Sequence, residues 1–188
     1  SRDVAMARTE SVCRRGLVGS LALGAIVAGA LVAAPSGAHG APNCSSADSL
    51  SAGVKKKEAA FRCLLNHERA DRALPKLTWK VPLAKGARRS NTLMVRCRAF
   101  SHTPCGESPT ESVRKGGYRG RFAGENIAWG TGSFGTARST FRSWMDSPGH
   151  RRAMLNRSAR AAGVAVKPRQ NFQGYEGASL WTLSLGVR

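Results

Sequence analysis

The chain has 188 residues, within the range of a single domain able to bury a core. Thirty Lys and Arg against eleven Asp and Glu give a formal charge of +19, a field that concentrates anionic partners at the surface. The sequence has no H-E-x-x-H, no nucleophile-elbow serine and no recognisable nucleic-acid module, which argues against a zincin, an α/β-hydrolase and a nucleic-acid partner.

In chain order, Arg14-Arg15 precede the uncharged run GLVGSLALGAIVAGALVAA and then Pro35-Ser-Gly-Ala38. A basic flank, an apolar stretch and a small-residue exit predict a secretory signal peptide over 1–38, cleaved after Ala38. No bulky apolar pair follows the two arginines, so the general secretory route is expected. A membrane anchor is the alternative, since a run of this length can also cross a bilayer. Export predicts a secreted, extracellular protein, with a linker over 39–53 and one domain over 54–188. Beyond Ala38, 26 Lys and Arg still face 9 Asp and Glu, spread along the chain without a dense tail or stripe.

Export also changes how the cysteines read. Cys13 leaves with the leader, and Cys44, Cys63, Cys97 and Cys105 remain, an even set in a compartment that permits disulfides. Three connectivities are open. The expected one is Cys44 with Cys63 and Cys97 with Cys105, each closing a short loop at a predicted helix end. A zinc tetrad is the competing reading, and no C-x2-C spacing supports it.

A first helix is predicted from about Val54 to Arg72, with Phe61, Leu64, Leu65 and Glu68 returning on one face. Pro75 stops it. Pro82 suits the first position of a second helix that carries Leu83, Ala87, Asn91 and Met94, with its core face expected through Leu83 and Met94. The stretch SHTPCGESPTESVRKGGYRGR is rich in turn residues and leaves room for one short helix over Glu111 to Lys115. Ile127 and Trp129 alternate as in a strand, Phe134 to Met145 read as a helix with Phe141, Trp144 and Met145 inward, and Met154-Leu155 belong to a short last helix. Gly163-Val-Ala-Val166 and Ser179 to Ser184 close the chain as strands. Several helices with few strands and no βαβ repeat predict an α+β fold, helices packed on a small antiparallel sheet.

Six short motifs stand in order: Leu65-Asn66-x-x-Arg69, LPKLTW, Phe100-Ser-His102, GENIAWG, Trp144-x-x-Ser147-Pro-Gly-His150 and Gly163-Val-Ala-Val. Together they resemble the CAP superfamily (SCP/PR-1), in particular its bacterial secreted members of the YkwD type, from about Phe61 to Gly186. The resemblance implies an α-β-α sandwich with a cleft where two His and two acids converge. Motif by motif, the histidines fall on His102 and His150 and one acid on Glu125. The fourth member is Glu111, seven residues before Tyr118 where bacterial relatives often carry an acid, or Glu107, five residues after His102. Two departures stand out: Ala73 where a Gly is common, and Leu183 where a polar residue often follows the last Trp-Thr.

Residue chemistry adds to this. A carboxylate such as Glu125, set in an apolar run, is costly to bury unless it is partnered. Two imidazoles with one or two carboxylates suit a divalent ion such as zinc. Ser147-Pro148 reads as an N-cap and first helical residue, placing His150 in a first turn where the helix dipole disfavours imidazolium.

Three functions are compatible with these residues. The first is a binding module whose cleft holds a lipid, a sterol or an anionic envelope polymer, with peripheral membrane contact. The second is a divalent-metal-dependent extracellular hydrolase, and the third a structural envelope protein without turnover. The binding module ranks first.

Overall fold

A computed structural model describes residues 43–168 and 171–187. The expected signal peptide lies outside the described residues. From residue 43 onward the expected linker is already part of the packed unit: Cys44 and Ala47 are buried, and Cys44 is bonded to Cys63.

Helix α1 spans Val54–Asp71. Phe61, Leu64 and Leu65 turn inward at helical spacing as expected, joined by Ala60. The buried face continues through Arg69, not Glu68: Arg69 follows Leu65 by four residues and is buried, while Glu68 is half-buried and pairs with Arg72. Arg69 is fully buried, and among the described residues no carboxylate pairs with it. Its guanidinium donates to the carbonyls of Pro75 (3.0 Å), Met154 (2.7 Å), Asn156 (3.1 Å) and Ala159 (3.3 Å). Burial lowers its pKa, and the charge of Arg160 lowers it further.

The chain leaves α1 through a Schellman closure. Leu74 N–H donates to the Arg69 carbonyl and Ala73 N–H to that of Ala70, with Ala73 in the left-handed region at φ 52°. Asn66 then pairs with the Leu77 main chain in both directions, which fixes the short strand β1 (Thr78–Trp79).

Helix α2 (Val81–Arg96) starts with Pro82 in its first turn and buries Leu83, Ala87, Asn91 and Met94. Its start lies so close to the sheet that a Cβ on Gly163 would sit 2.0 Å from the Ala84 nitrogen, so glycine is required there. After a 3-10 turn at Pro104–Gly106 come α3 (Pro109–Lys115), β2 (Arg121–Gly130), α4 (Ala137–Asp146), α5 (Pro148–Met154) and β3 (Ala161–Pro168). A small hairpin, β4 (Asn171–Phe172) and β5 (Tyr175–Glu176), and the last strand β6 (Ser179–Val187) complete the unit.

The main sheet has the order β1-β3-β6-β2. Its long pairings, β3 with β6 and β6 with β2, are antiparallel as expected, but β1 joins β3 in parallel, so the sheet is mixed. Strand β6 is buried at every position and sorts its side chains between two layers. Trp181, Leu183 and Leu185 face Phe61, Leu64, Phe141 and Trp144 from α1 and α4, while Leu180 packs with Met94 of α2. On the α2 side, Asn91 donates to the carbonyls of Ala165 and Leu180 and accepts from the Thr182 hydroxyl, satisfying a buried amide across two strands. The result is an α-β-α sandwich with β2 at one free edge. Leu183 lies in the core on the α1 side, so that departure from the family pattern does not reach the face carrying Glu125.

The cysteines pair as expected, Cys44 with Cys63 and Cys97 with Cys105, each with Cα atoms 5.7 Å apart. The first ties the N-terminal segment to α1, and the second closes the loop after α2.

The left-handed Ala73 gives a direct test. Ala73→Gly removes the Cβ penalty at a helix C′ position and is expected to stabilise by a net amount of about 0.5–1 kcal/mol, after the larger unfolded-state freedom of glycine is set against it. Thermal unfolding should show a midpoint raised by a few degrees; an unchanged or lower midpoint contradicts the reading.

Candidate functional site at the edge of the sheet

Strand β2 is an edge of the main sheet, and both helical layers reach it, α2 through Ser90 and α5 through the His150 carbonyl. Within β2, Glu125 lies opposite Ser184 of β6 on the α2 side, and Asn126 points to the other side. The Glu125 side chain is only 2% exposed. Both of its oxygens are engaged: Oε1 lies 2.9 Å from His102 Nδ1, and Oε2 accepts from the Ser90 hydroxyl at 3.0 Å. The buried carboxylate thus has the partners its burial requires.

Across the strand, the Asn126 amide donates to the His150 carbonyl at 3.1 Å and anchors the start of α5. Ser147 flanks α5 at the N-cap position, but its hydroxyl does not cap a backbone amide. It lies 2.9 Å from His150 Nδ1 instead. The expected capping role is therefore replaced by a contact that orients the imidazole. Neither His102 Nε2 nor His150 Nε2 carries a hydrogen bond to the described residues.

The two histidines are driven apart in proton affinity. Hydrogen bonding to Glu125 raises the His102 pKa above the ordinary imidazole value, against an opposing effect of burial. Burial lowers that of His150, and the charge on His102 lowers it further. The helix-terminus expectation of a neutral His150 thus agrees in direction. The Trp144 ring, 6.2 Å away between centroids, forms one wall beside His150.

The two acids considered for the fourth position are held elsewhere. Glu111 closes a capping box on α3: its carboxylate accepts from the Ser108 N–H and hydroxyl, while the Ser108 hydroxyl accepts from the Glu111 N–H. Glu107 is clamped by Arg89 through two bonds of 2.6 and 2.7 Å, by Lys115 at 2.6 Å and by Ser112 at 2.6 Å. The Arg89 bond, helped by Lys115 and Ser112, holds its pKa down at about 2. Among the described residues, no three His, Cys, Asp or Glu side chains form a group that could hold a metal ion. The expected convergence of four ligands is replaced by two imidazoles with Glu125 behind one of them.

Ser90 and Ser147 are the site residues that sequence reasoning missed. Ser90 had a signal, as a hydroxyl on the apolar face of a helix between Ala87 and Met94. Such a group needs a buried partner.

This is an α-β-α fold whose edge strand β2 is contacted by His102, through Glu125, and by the main chain of His150, through Asn126. Residues 64–183 match the cysteine-rich secretory protein (CAP) family, and the chain belongs to it. It is 34% identical over 121 residues to the uncharacterized protein YkwD of Bacillus subtilis (strain 168), a match covering 63% of this chain and 42% of that relative. The chain thus spans less than half of the relative's length. Among solved structures it is similar to an extracellular protein containing an SCP domain from Bacillus anthracis, with a TM-score of 0.59 at 23% identity over 72% of this chain and 41% of that one. It is also similar to an outer surface protein of Borrelia burgdorferi, with a TM-score of 0.58 at 19% identity over 71% of this chain and 94% of that one. At these identities both show the fold.

The opposed shifts predict two limbs in the pH dependence of stability. The raised His102 value contributes stability that is full below the unfolded imidazole value and lost as pH rises through the folded one. The lowered His150 value contributes stability present above the unfolded value and lost as pH falls through the folded one. Ring-proton NMR should therefore show His102 titrating above, and His150 below, the ordinary value near 6.5. Glu125→Gln should bring His102 back toward that value. Two histidines titrating together in the wild type would contradict the arrangement.

Proposed function

We propose that this chain is an exported CAP-family binding module. In this reading His102 and His150 hold a divalent ion, zinc by donor chemistry, through their Nε2 atoms, and an anionic ligand from the cell envelope completes the ion's shell. The observation that carries the reading is the state of the two rings: each Nδ1 is already tied, to Glu125 and to Ser147, and both Nε2 atoms are left without a partner among the described residues. Neutral imidazoles oriented through the other ring nitrogen by a carboxylate or hydroxyl are the usual setting of histidine ligands.

Glu125 then acts behind His102 rather than as a ligand, since each of its oxygens is already engaged and its side chain is buried. That favours binding over hydrolysis, because a base that must move a proton needs an oxygen free to meet the water it activates. When bound, the ion would supply a Lewis-acidic centre with open positions. The protein's own residues orient the two rings and exclude solvent from Glu125. Export is supported by the leader-like sequence, by the two disulfides and by the extracellular and outer-surface descriptions of the structural relatives.

Calorimetric zinc titration of the untagged protein at neutral pH tests the reading. The wild type should bind one ion, and His102→Ala and His150→Ala should each abolish binding while the thermal midpoint moves little. Glu125→Gln should retain binding weakened about 10–100-fold, the usual effect of losing a supporting carboxylate. A wild type that binds no divalent ion, or alanine variants that bind as well as it does, would overturn the proposal.

A further inference from the structure

The inward face of α2 supplies Ser90 to the histidine site, and its outward face is built differently. Lys85, Arg88, Arg89, Thr92 and Arg96 are all exposed and recur at helical spacing on one side of the helix. Along with Leu93 they line a groove of about 330 Å³. The helix carries no acid, and none occurs anywhere between Asp71 and Glu107. Cations that look dispersed in the linear sequence are therefore gathered by helix geometry into a one-sign row. From Lys85 to Arg96 the row extends about 16 Å at 1.5 Å per residue, far longer than a single phosphate.

Two acids from neighbouring segments reach this row and organise it without neutralising it. Glu107 takes two bonds from Arg89 and one from Lys115, and Glu58 accepts from Arg88 at 3.2 Å. They fix the two central guanidinium groups in place. Among the described residues, Lys85 and Arg96 have no side-chain hydrogen bond or ion pair, so the ends of the row are unpaired cations with the held arginines between them.

We propose that this groove binds a linear polymer of phosphate groups, several charges at a time. Glu107 takes the fork of Arg89 and Glu58 one nitrogen of Arg88, so Lys85 and Arg96 are the free donors at the two ends, Arg96 with a planar fork that suits phosphate oxygens, and the row matches an extended chain rather than one compact anion. A bilayer surface fits less well. Cationic helices that lie on membranes set large apolar side chains beside their charges. The only large apolar residue lining this groove, Leu93, is 3% exposed. Leu50, Val81, Phe100, Phe134 and Tyr175, the exposed large apolar residues among those described, lie outside the groove lining. The groove shares no residue with the histidine site, so the two proposals stand or fall separately.

The test uses short-chain inorganic polyphosphate as the probe, with inorganic monophosphate and vesicles of phosphatidylglycerol in phosphatidylcholine as comparisons. The variants are K85A/R96A, which leaves the Glu58 and Glu107 contacts intact, and K55A/K56A, which removes the same charge at the start of α1. Circular dichroism should show both variants folded. The wild type should bind polyphosphate more tightly than monophosphate. K85A/R96A should weaken polyphosphate binding at least about tenfold and reduce the slope of log affinity against log salt by about two, one per lost phosphate contact, while K55A/K56A changes it far less. Equal weakening by the two double variants would reduce the effect to net charge and overturn the proposal. Binding to vesicles that exceeds binding to polyphosphate at equal phosphate concentration would overturn it as well.

Discussion

The buried guanidinium of Arg69 is the contact on which the arrangement of this domain turns. A fully buried cation with no carboxylate partner survives only if its donors are met, and here main-chain carbonyls from three segments meet them. One belongs to the loop leaving α1, one is the carbonyl of the last residue of α5, and two belong to the turn leading into β3. Positive charge at a helix C-terminus is favourable in itself, so the bond to Met154 both fixes α5 and stabilises it. Since α5 carries His150 near its other end, the geometry of the site depends on a charge buried at the opposite end of the same short helix.

The remainder of the site follows from the position of β2. An edge strand leaves one flank of the sheet uncovered, and here side chains from both layers converge beside it: His102 from the loop after α2, His150 from α5. Alternation along β2 places Glu125 toward one layer and Asn126 toward the other, so adjacent residues serve the two histidines, one through a ring nitrogen and the other through a backbone carbonyl. The acid-amide pair in the GENIAWG segment therefore acts as a two-sided bracket. The carboxylate keeps its burial by engaging both oxygens, which makes it a positioning group.

Much of this is legible in the sequence because it rests on local periodicity or short spacing. The inward residues of α1 and α2 and the disulfide pairing come from such signals, whereas His102, Glu125 and His150 are singled out by the resemblance of their motifs to the family. The differences have specific causes. Glu68 reads as a buried position because it returns four residues after Leu64, and the burial of Arg69 is not visible beforehand because three of the carbonyls that satisfy it lie 85 to 90 positions away. Glu107 reads as a site acid because its pairing with Arg89 forms only once α2 and α3 pack together. For Glu111 the sequence does hold the contrary signal, since Ser108-Pro-Thr-Glu111 is a capping-box pattern that commits the carboxylate locally. The basic residues read as evenly spread because a helix converts spacings of three and four into a stripe that a linear count does not show.

In the proposed site, two oriented histidines with Glu125 behind one of them would share a single ion at the edge of β2. Anomalous diffraction at the zinc absorption edge, from crystals of the wild-type protein grown with zinc, is the decisive measurement. One peak is expected at bonding distance, about 2.0–2.1 Å, from the Nε2 atoms of both His102 and His150, with Glu125 still on His102 Nδ1 and Ser147 still on His150 Nδ1. A peak bonded to a Glu125 oxygen, or zinc bound at any other place while both Nε2 atoms stay free, is incompatible with this arrangement.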